Sequence, residues 1–304
     1  MNQDAPLSGA IIVLYFPQWD ILQELLRSLK AQVSNIYLIS NGMSDEIRDA
    51  LKEFSDCSIL EELDLNPGLG KALNVGLKLA IEDQCEYVML FDQDSLAPLK
   101  YLKKMIEESK KIPQANKPWA ALGPSFYDAR STSVRVNQFK KNGRDPEVTS
   151  KEESVISCDC LITSGMLINL KQLHPFIGFD ESFFVDQVDS EWCFRTSAMG
   201  YGIYGTRKIR LAHRLSDSVA RKLGPLTFLI YSPLRRYWYY KNSVRLIRSA
   251  YVPRSWKLRL AGILTLSFIP NLFLDKNAWL SGKMMISGLF DGLTAGIKHP
   301  QELF

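Results

Sequence analysis

The 304-residue sequence predicts an α/β fold: a nucleotide-binding, Rossmann-like sheet followed by a basic helical arm. Three observations carry that expectation. Apolar runs of strand length alternate with stretches of helical spacing in the first hundred residues, the β-α-β order of a parallel sheet. One of those runs, Tyr87 to Phe91, ends in Asp92-Gln93-Asp94-Ser95, at the strand end where open α/β sheets bind ligands. The chain is also 46% apolar and 23% charged, ordinary for a globular protein and unlike a disordered one.

Gly9 to Phe16 is a continuous apolar run of the buried-strand type, ended by Pro17. Ile21, Leu22, Leu25, Leu26 and Leu29 then form a helical stripe. A second strand, Ile36 to Ile39, closes on Ser40-Asn41-Gly42. Asn66-Pro67-Gly68-Leu69-Gly70 supplies loop glycines that permit close backbone approach to a ligand. A helix with apolar positions Leu73, Leu77, Ala80 and Ile81 follows, and leads into Tyr87–Phe91. Further on, Lys100 to Lys111 reads as a helix of mixed charge. The span from Tyr127 to Glu153 is polar and basic, a loop or hairpin excursion. Ser164-Gly165-Met166 breaks an apolar pattern between Val155 and Leu170, as a bulge or packing glycine would. Tyr201 to Leu211 is another strand and ends at Ala212-His213-Arg214.

Two acidic groups carry the chemistry. Asp92 and Asp94 at a strand end suit a hard divalent cation, which is oxygen-ligated and often shares substrate phosphates. An isolated pair of this kind more often caps a helix; the preceding apolar strand and Gly-rich loop favour the functional reading. The segment Gly178 to Arg195, GFDESFFVDQVDSEWCFR, places Asp186, Asp189 and Glu191 within six residues. Asp186 and Asp189 are expected to share a helical face, beside Phe184, Trp192 and Phe194. A carboxylate among aromatic rings is partly desolvated, which raises its pKa and improves it as a base. The competing reading is an acidic first helical turn favoured by the helix dipole.

Net charge is only +4, but between Arg207 and Arg259 the one acidic residue is Asp217. That asymmetry points to an anionic partner for the C-terminal part. Tyr237, Tyr240, Val244, Ile247 and Tyr251 recur at helical spacing, with Lys241, Arg245 and Arg248 on an adjoining face. This is the pattern of an interfacial membrane helix, with a homodimer interface as its structural alternative. Nucleic acid is not expected, because the aromatics form a stripe and not a stacking platform. The apolar stretch Leu260 to Leu274 is interrupted by Pro270 and Asn271 and is too short to span a bilayer. Five cysteines, an odd number, read as reduced thiols of a cytosolic chain. The N-terminus has no signal-peptide pattern.

The Asn66–Ser95 stretch and the Gly178–Arg195 motif resemble glycosyltransferase family 2, the inverting enzymes of GT-A fold. The D-Q-D-S strand end is most similar to bacterial rhamnosyltransferases. The resemblance implies a transferase domain over residues 1–215 and a membrane or oligomer arm over 216–304. It implies that Tyr15, Ser40, Asn41, Asn66, Gly68, Lys71, Asn74 and Asp92 bind a nucleoside-diphosphate sugar. It implies that Asp92, Asp94 and His213 hold a divalent cation, Mg2+ or Mn2+, and that Asp189 is the general base. The family usually has an Asp for the nucleobase where this chain has Ser40, so the charge-assisted contact is gone. The implied donor is dTDP-L-rhamnose and the implied acceptor a lipid-linked glycan precursor of the O-antigen or capsule type. The enzyme is then expected in the cytoplasm, peripheral on the inner face of the plasma membrane. The alternatives are another donor such as a UDP-hexose, a non-catalytic nucleotide-sugar-binding protein, and a scaffold in which only the arm matters.

Overall fold

A computed structural model describes residues 6–113, 117–127, 139–143, 154–212, 219–223, 226–275 and 277–296. In chain order the elements are β1 (Ser8–Leu14), α1 (Trp19–Lys30), β2 (Asn35–Ser40), α2 (Asp45–Leu51), β3 (Ser58–Glu62), α3 (Leu69–Glu82) and β4 (Tyr87–Asp92). After these come α4 (Tyr101–Ser109), β5 (Trp119–Tyr127), β6 (Val155–Ser157), β7 (Met166–Asn169), α5 (Val188–Ala198) and β8 (Gly202–Ala212). The chain ends in a hairpin, β9 (Val219–Leu223) and β10 (Leu226–Ile230), and three helices, α6 (Pro233–Arg248), α7 (Arg254–Leu274) and α8 (Ala278–Thr294).

Among the described residues, eight strands form one mixed sheet in the order β3-β2-β1-β4-β7-β5-β8-β6. The first four are parallel, and β7 runs antiparallel to both β4 and β5. Both faces are covered, which is why β1 reads as an unbroken apolar run. Ile11 faces Leu73 and Leu77 of α3, in a cluster that also holds Trp192 of α5. Its neighbour Ile12 packs on the other face with Leu22, Leu25 and Leu26 of α1. Strand β3 escaped the sequence reading because it is a sheet edge whose Ile59 is exposed.

The C-terminal helices differ from the amphipathic arm expected from sequence. Leu246 and Leu260 belong to the same apolar cluster as the α3 face of the sheet. Arg245 is 4% exposed and donates to Ser182 O, Ser182 Oγ and Asp180 Oδ2. Arg248 donates to Gly292 O and Ala295 O at the end of α8, where a cation complements the helix dipole. Lys241 lies over the rings of Tyr237 and Trp238. The cations expected to meet lipid phosphates therefore engage partners within the protein. Among the described residues no helix is long and apolar enough to cross a membrane.

Candidate active site

Sheet register builds the site. Val13 pairs with Asp92 and Leu14 with Ser40, so the ends of β1, β2 and β4 share one edge. The order reverses there, since β1 lies between β2 and β4: this is the switch point of an open α/β sheet. Gln93 ties the edge together. Its Oε1 accepts from Tyr15 N at 2.7 Å and its Nε2 donates to Tyr15 O at 3.1 Å. Sequence reasoning passed over Gln93, because nothing local distinguishes it from a solvated amide. The rings of Tyr15 and Phe16 stand exposed at this edge. Ser40 is buried, and its Oγ accepts from Gly42 N. Asn41 Nδ2 donates to Gly68 O at 3.3 Å, while its buried Oδ1 has no hydrogen-bond partner among the described residues.

The Gly-rich loop closes against the second acidic segment. Gly68 has φ +99, and a Cβ there would lie 2.7 Å from Phe184 O; only glycine suits both constraints. Asn66 Oδ1 accepts from Gly68 N, and Leu69 N donates to Phe184 O. Lys71 forms a 3.3 Å ion pair with Glu181, both about 40% exposed. Asn74 is buried; its Oδ1 accepts from Phe179 N and its Nδ2 donates to Phe179 O and Glu181 Oε1. Asn74 thus acts on the site by holding the 178–181 backbone.

Asp92 is half-buried and Asp94 exposed at the strand end. Ser164 Oγ donates to Asp92 Oδ2, a contact that gives the Ser164-Gly165 step a second role beside packing. Gly165 has φ +70, and a Cβ would meet the Tyr101 hydroxyl. His213 lies outside the described residues. Among the described residues no cluster of three or more His, Cys, Asp or Glu is poised for a metal. The donors at the edge are two carboxylates, an all-oxygen set that fits a hard cation completed by phosphate oxygens and water.

The three acids of the second motif separate by their partners. Asp186 is not on a helix with Asp189, contrary to the shared face expected from sequence. It has φ 57 and Gln187 φ 63, and α5 begins only at Val188. Arg235 Nε donates to both Asp186 oxygens at 3.2 Å. Glu191 is fully buried against Arg195 and also accepts from the Tyr251 hydroxyl at 2.8 Å. Asp189 forms no ion pair among the described residues. Its Oδ1 accepts from Ser190 N at 2.7 Å. Asp189 is half-buried, with its carboxyl closely surrounded by protein. Desolvation pushes its pKa up to about 6, reinforced by the charges of Asp92 and Asp186 and opposed by backbone N–H groups of Ser190 and Thr163. A carboxyl poised there is ionised at neutral pH and a competent proton acceptor.

Residues 10–144 match the model of glycosyl transferase family 2. The chain is 29% identical over 257 residues to the dTDP-rhamnosyl transferase RfbF of Shigella flexneri, covering 82% of this chain and 83% of that one. Crystal structures of S. aureus TarS residues 1–349 with UDP and with UDP-GlcNAc superpose with a TM-score of 0.57 over 94% of this chain, at 16% identity. The chain spans 44% of the longer TarS structure, with a TM-score of 0.53. At that identity the likeness is one of fold, the GT-A fold. Together the family match over residues 10–144 and the similarity to a dTDP-rhamnosyl transferase support a glycosyltransferase family 2, rhamnosyltransferase-like reading of this chain, on a GT-A fold.

Proposed function

We propose that this protein is an inverting transferase that moves L-rhamnose from dTDP-L-rhamnose onto a lipid-linked glycan precursor of the O-antigen or capsule type. The observation that carries the inverting chemistry is Asp189, the one acid of its motif without an ion pair among the described residues, with a pKa near 6 and facing the charge of Asp92. The donor identity rests on the similarity to the dTDP-rhamnosyl transferase of Shigella flexneri. As the acceptor oxygen attacks the anomeric carbon, its proton passes to Asp189. The bond from that carbon to the diphosphate oxygen breaks, its electron pair leaves with the diphosphate, and configuration inverts. Tyr15, Ser40, Asn41, Asn66, Gly68, Lys71 and Asn74 line or brace the donor side. Asp92 and Asp94, with His213, would hold a Mg2+ or Mn2+ ion, which when bound offsets the charge of the departing diphosphate.

Purified protein given a panel of nucleotide sugars should turn over dTDP-L-rhamnose fastest. A chelator should stop transfer, added Mg2+ or Mn2+ should restore it, and Asp94→Ala should lose at least about a hundredfold. A UDP-hexose as the preferred substrate would replace the donor assignment. Full transfer in excess chelator would remove the metal, and neither transfer nor hydrolysis of any donor would leave a binding protein.

For membrane contact the outward faces of α7 and α8 replace the α6 stripe. Leu258, Leu266, Ile269 and Phe273 of α7 are exposed at one-face spacing, as are Trp279, Ile286, Phe290 and Leu293 of α8. Arg254 and Arg259 stand exposed at the start of α7 and Lys283 on the α8 face, suiting an anionic bilayer on the cytoplasmic side. The protein should sediment with anionic vesicles, less so in high salt. A Phe273→Ser, Trp279→Ser variant should stay in solution. If that variant instead changes a dimer to a monomer with vesicle binding intact, these faces join two copies.

A further inference from the structure

The strap from Gly178 to Gln187 ends in two consecutive left-handed residues that are not glycine, Asp186 and Gln187. Such a pair persists only where the surroundings impose it. One face of α6 imposes it. Arg235, Trp238, Asn242 and Arg245 recur at intervals of three and four, so they point the same way. Arg245 holds the near end of the strap, through Asp180 and Ser182 and by stacking at 4.0 Å over Phe183. Trp238 stacks on Phe184 with centroids 4.9 Å apart. Asn242, with no exposed surface, donates from Nδ2 to Val185 O at 2.8 Å and Asp186 O at 3.0 Å. Arg235 clasps the Asp186 carboxylate, and Ser243 Oγ accepts from Gln187 Nε2. Asp180 and residues 182–187 of the strap thus each meet a side chain of α6.

We propose that Asn242 and Arg235 are positioning residues for Asp189: by fixing the left-handed turn at Asp186–Gln187 they set where α5 starts and where its second residue points. The inference rests on the reading of Asp189 as the base. A carboxylate displaced by about an ångström from its proton loses on the order of a hundredfold in rate, whereas the donor side, built on β1, β2, α3 and β4, touches the strap at residues 179–184 and not at this turn. Asn242→Ala is therefore expected to lower kcat about tenfold or more while dTDP affinity by calorimetry stays at the wild-type level. Amide hydrogen exchange should rise in residues 183–190 and stay unchanged in α3 beyond its first turn, whose Leu69 N–H donates to Phe184 O. Arg235 is 40% exposed at its side chain, so its variants are the safer companions. Arg235→Ala should lower kcat, Arg235→Lys should recover part of it, and guanidinium ion added to Arg235→Ala should recover part as well. Exchange in 183–190 that stays at the wild-type level in Asn242→Ala overturns the proposal, whether or not the protein transfers sugar. So does faster exchange with kcat unchanged, or a loss of dTDP affinity that matches the loss of rate. Wild-type protein that transfers no sugar, with the exchange result as expected, refutes the base and leaves the α6 clasp standing.

Discussion

Asp189→Asn is expected to lower kcat by about a hundredfold or more, because the amide keeps the shape but cannot take the acceptor proton. Donor affinity should hardly move. The same change should stabilise the fold. In the folded chain the Asp189 carboxyl titrates at about 6, against an ordinary 3.8. Its folded pKa is raised, so the folded state binds the proton more tightly than the unfolded one. Stability from this group is full below about pH 4 and is lost as pH rises toward 6. Above that, folding carries a desolvated charge that Asn does not have. The gain at pH 7 is up to about 3 kcal/mol, vanishing at pH 4, and urea titrations at the two pH values read it directly. Wild-type kcat/KM should fall tenfold per unit below about pH 6. Equal stability of the two proteins at pH 7, or a rate that survives the substitution, would reassign Asp189 to a structural role; Asp186→Asn and Glu191→Gln are the companions that would then locate the base.

Arg195→Met is expected to cost about 3–5 kcal/mol, the penalty for leaving a buried charge without its partner. Glu191 and Arg195 have no exposed surface at their side chains, and Arg195 also donates to Gly178 O at 2.8 Å. That loss is a large part of the roughly 5–15 kcal/mol that holds a domain together. Pairing it with Glu191→Leu should restore much of the loss, since a well-packed apolar pair can match a buried ion pair. Tyr251→Phe should cost about 1 kcal/mol, one hydrogen bond. Thermal melts and urea midpoints measure all three. An Arg195→Met protein as stable as wild type would mean that water reaches Glu191. A double variant less stable than the single one would point to the Tyr251 hydroxyl bond that Glu191 alone accepts, and not to the uncompensated charge, as the larger effect.

Much of the sheet was legible in the sequence. Strands β1, β2 and β4 announce themselves as apolar runs, and α1 and α3 as stripes, because a local period is enough to mark a buried face. Locating Asp92 and Asp94 at a strand end needed nothing more. Deciding among Asp186, Asp189 and Glu191 did. Two of their hydrogen-bonding partners, Arg235 and Tyr251, lie 49 and 60 residues away, and no local pattern connects them. Arg195 was the exception: four residues from Glu191 on one helix, it was a readable pair. The C-terminal region misled for the converse reason. Polar residues such as Arg236, Asn242 and Arg245 look like a solvated face in sequence, yet all three are buried. Their partners come from the strap and from the α7–α8 turn, such as Asp275, which is 3.2 Å from Arg236.

The pair of hydrogen bonds between Gln93 and the Tyr15 backbone has an energetic consequence. It fastens the exposed aromatic loop after β1 to the carboxylate-bearing turn after β4, across 78 residues of chain. The two lips of the cleft are thus in register in the chain itself. The conformational entropy of ordering them is lost during folding, so a donor bound at this edge would meet groups already in place and keep more of its contact energy as affinity.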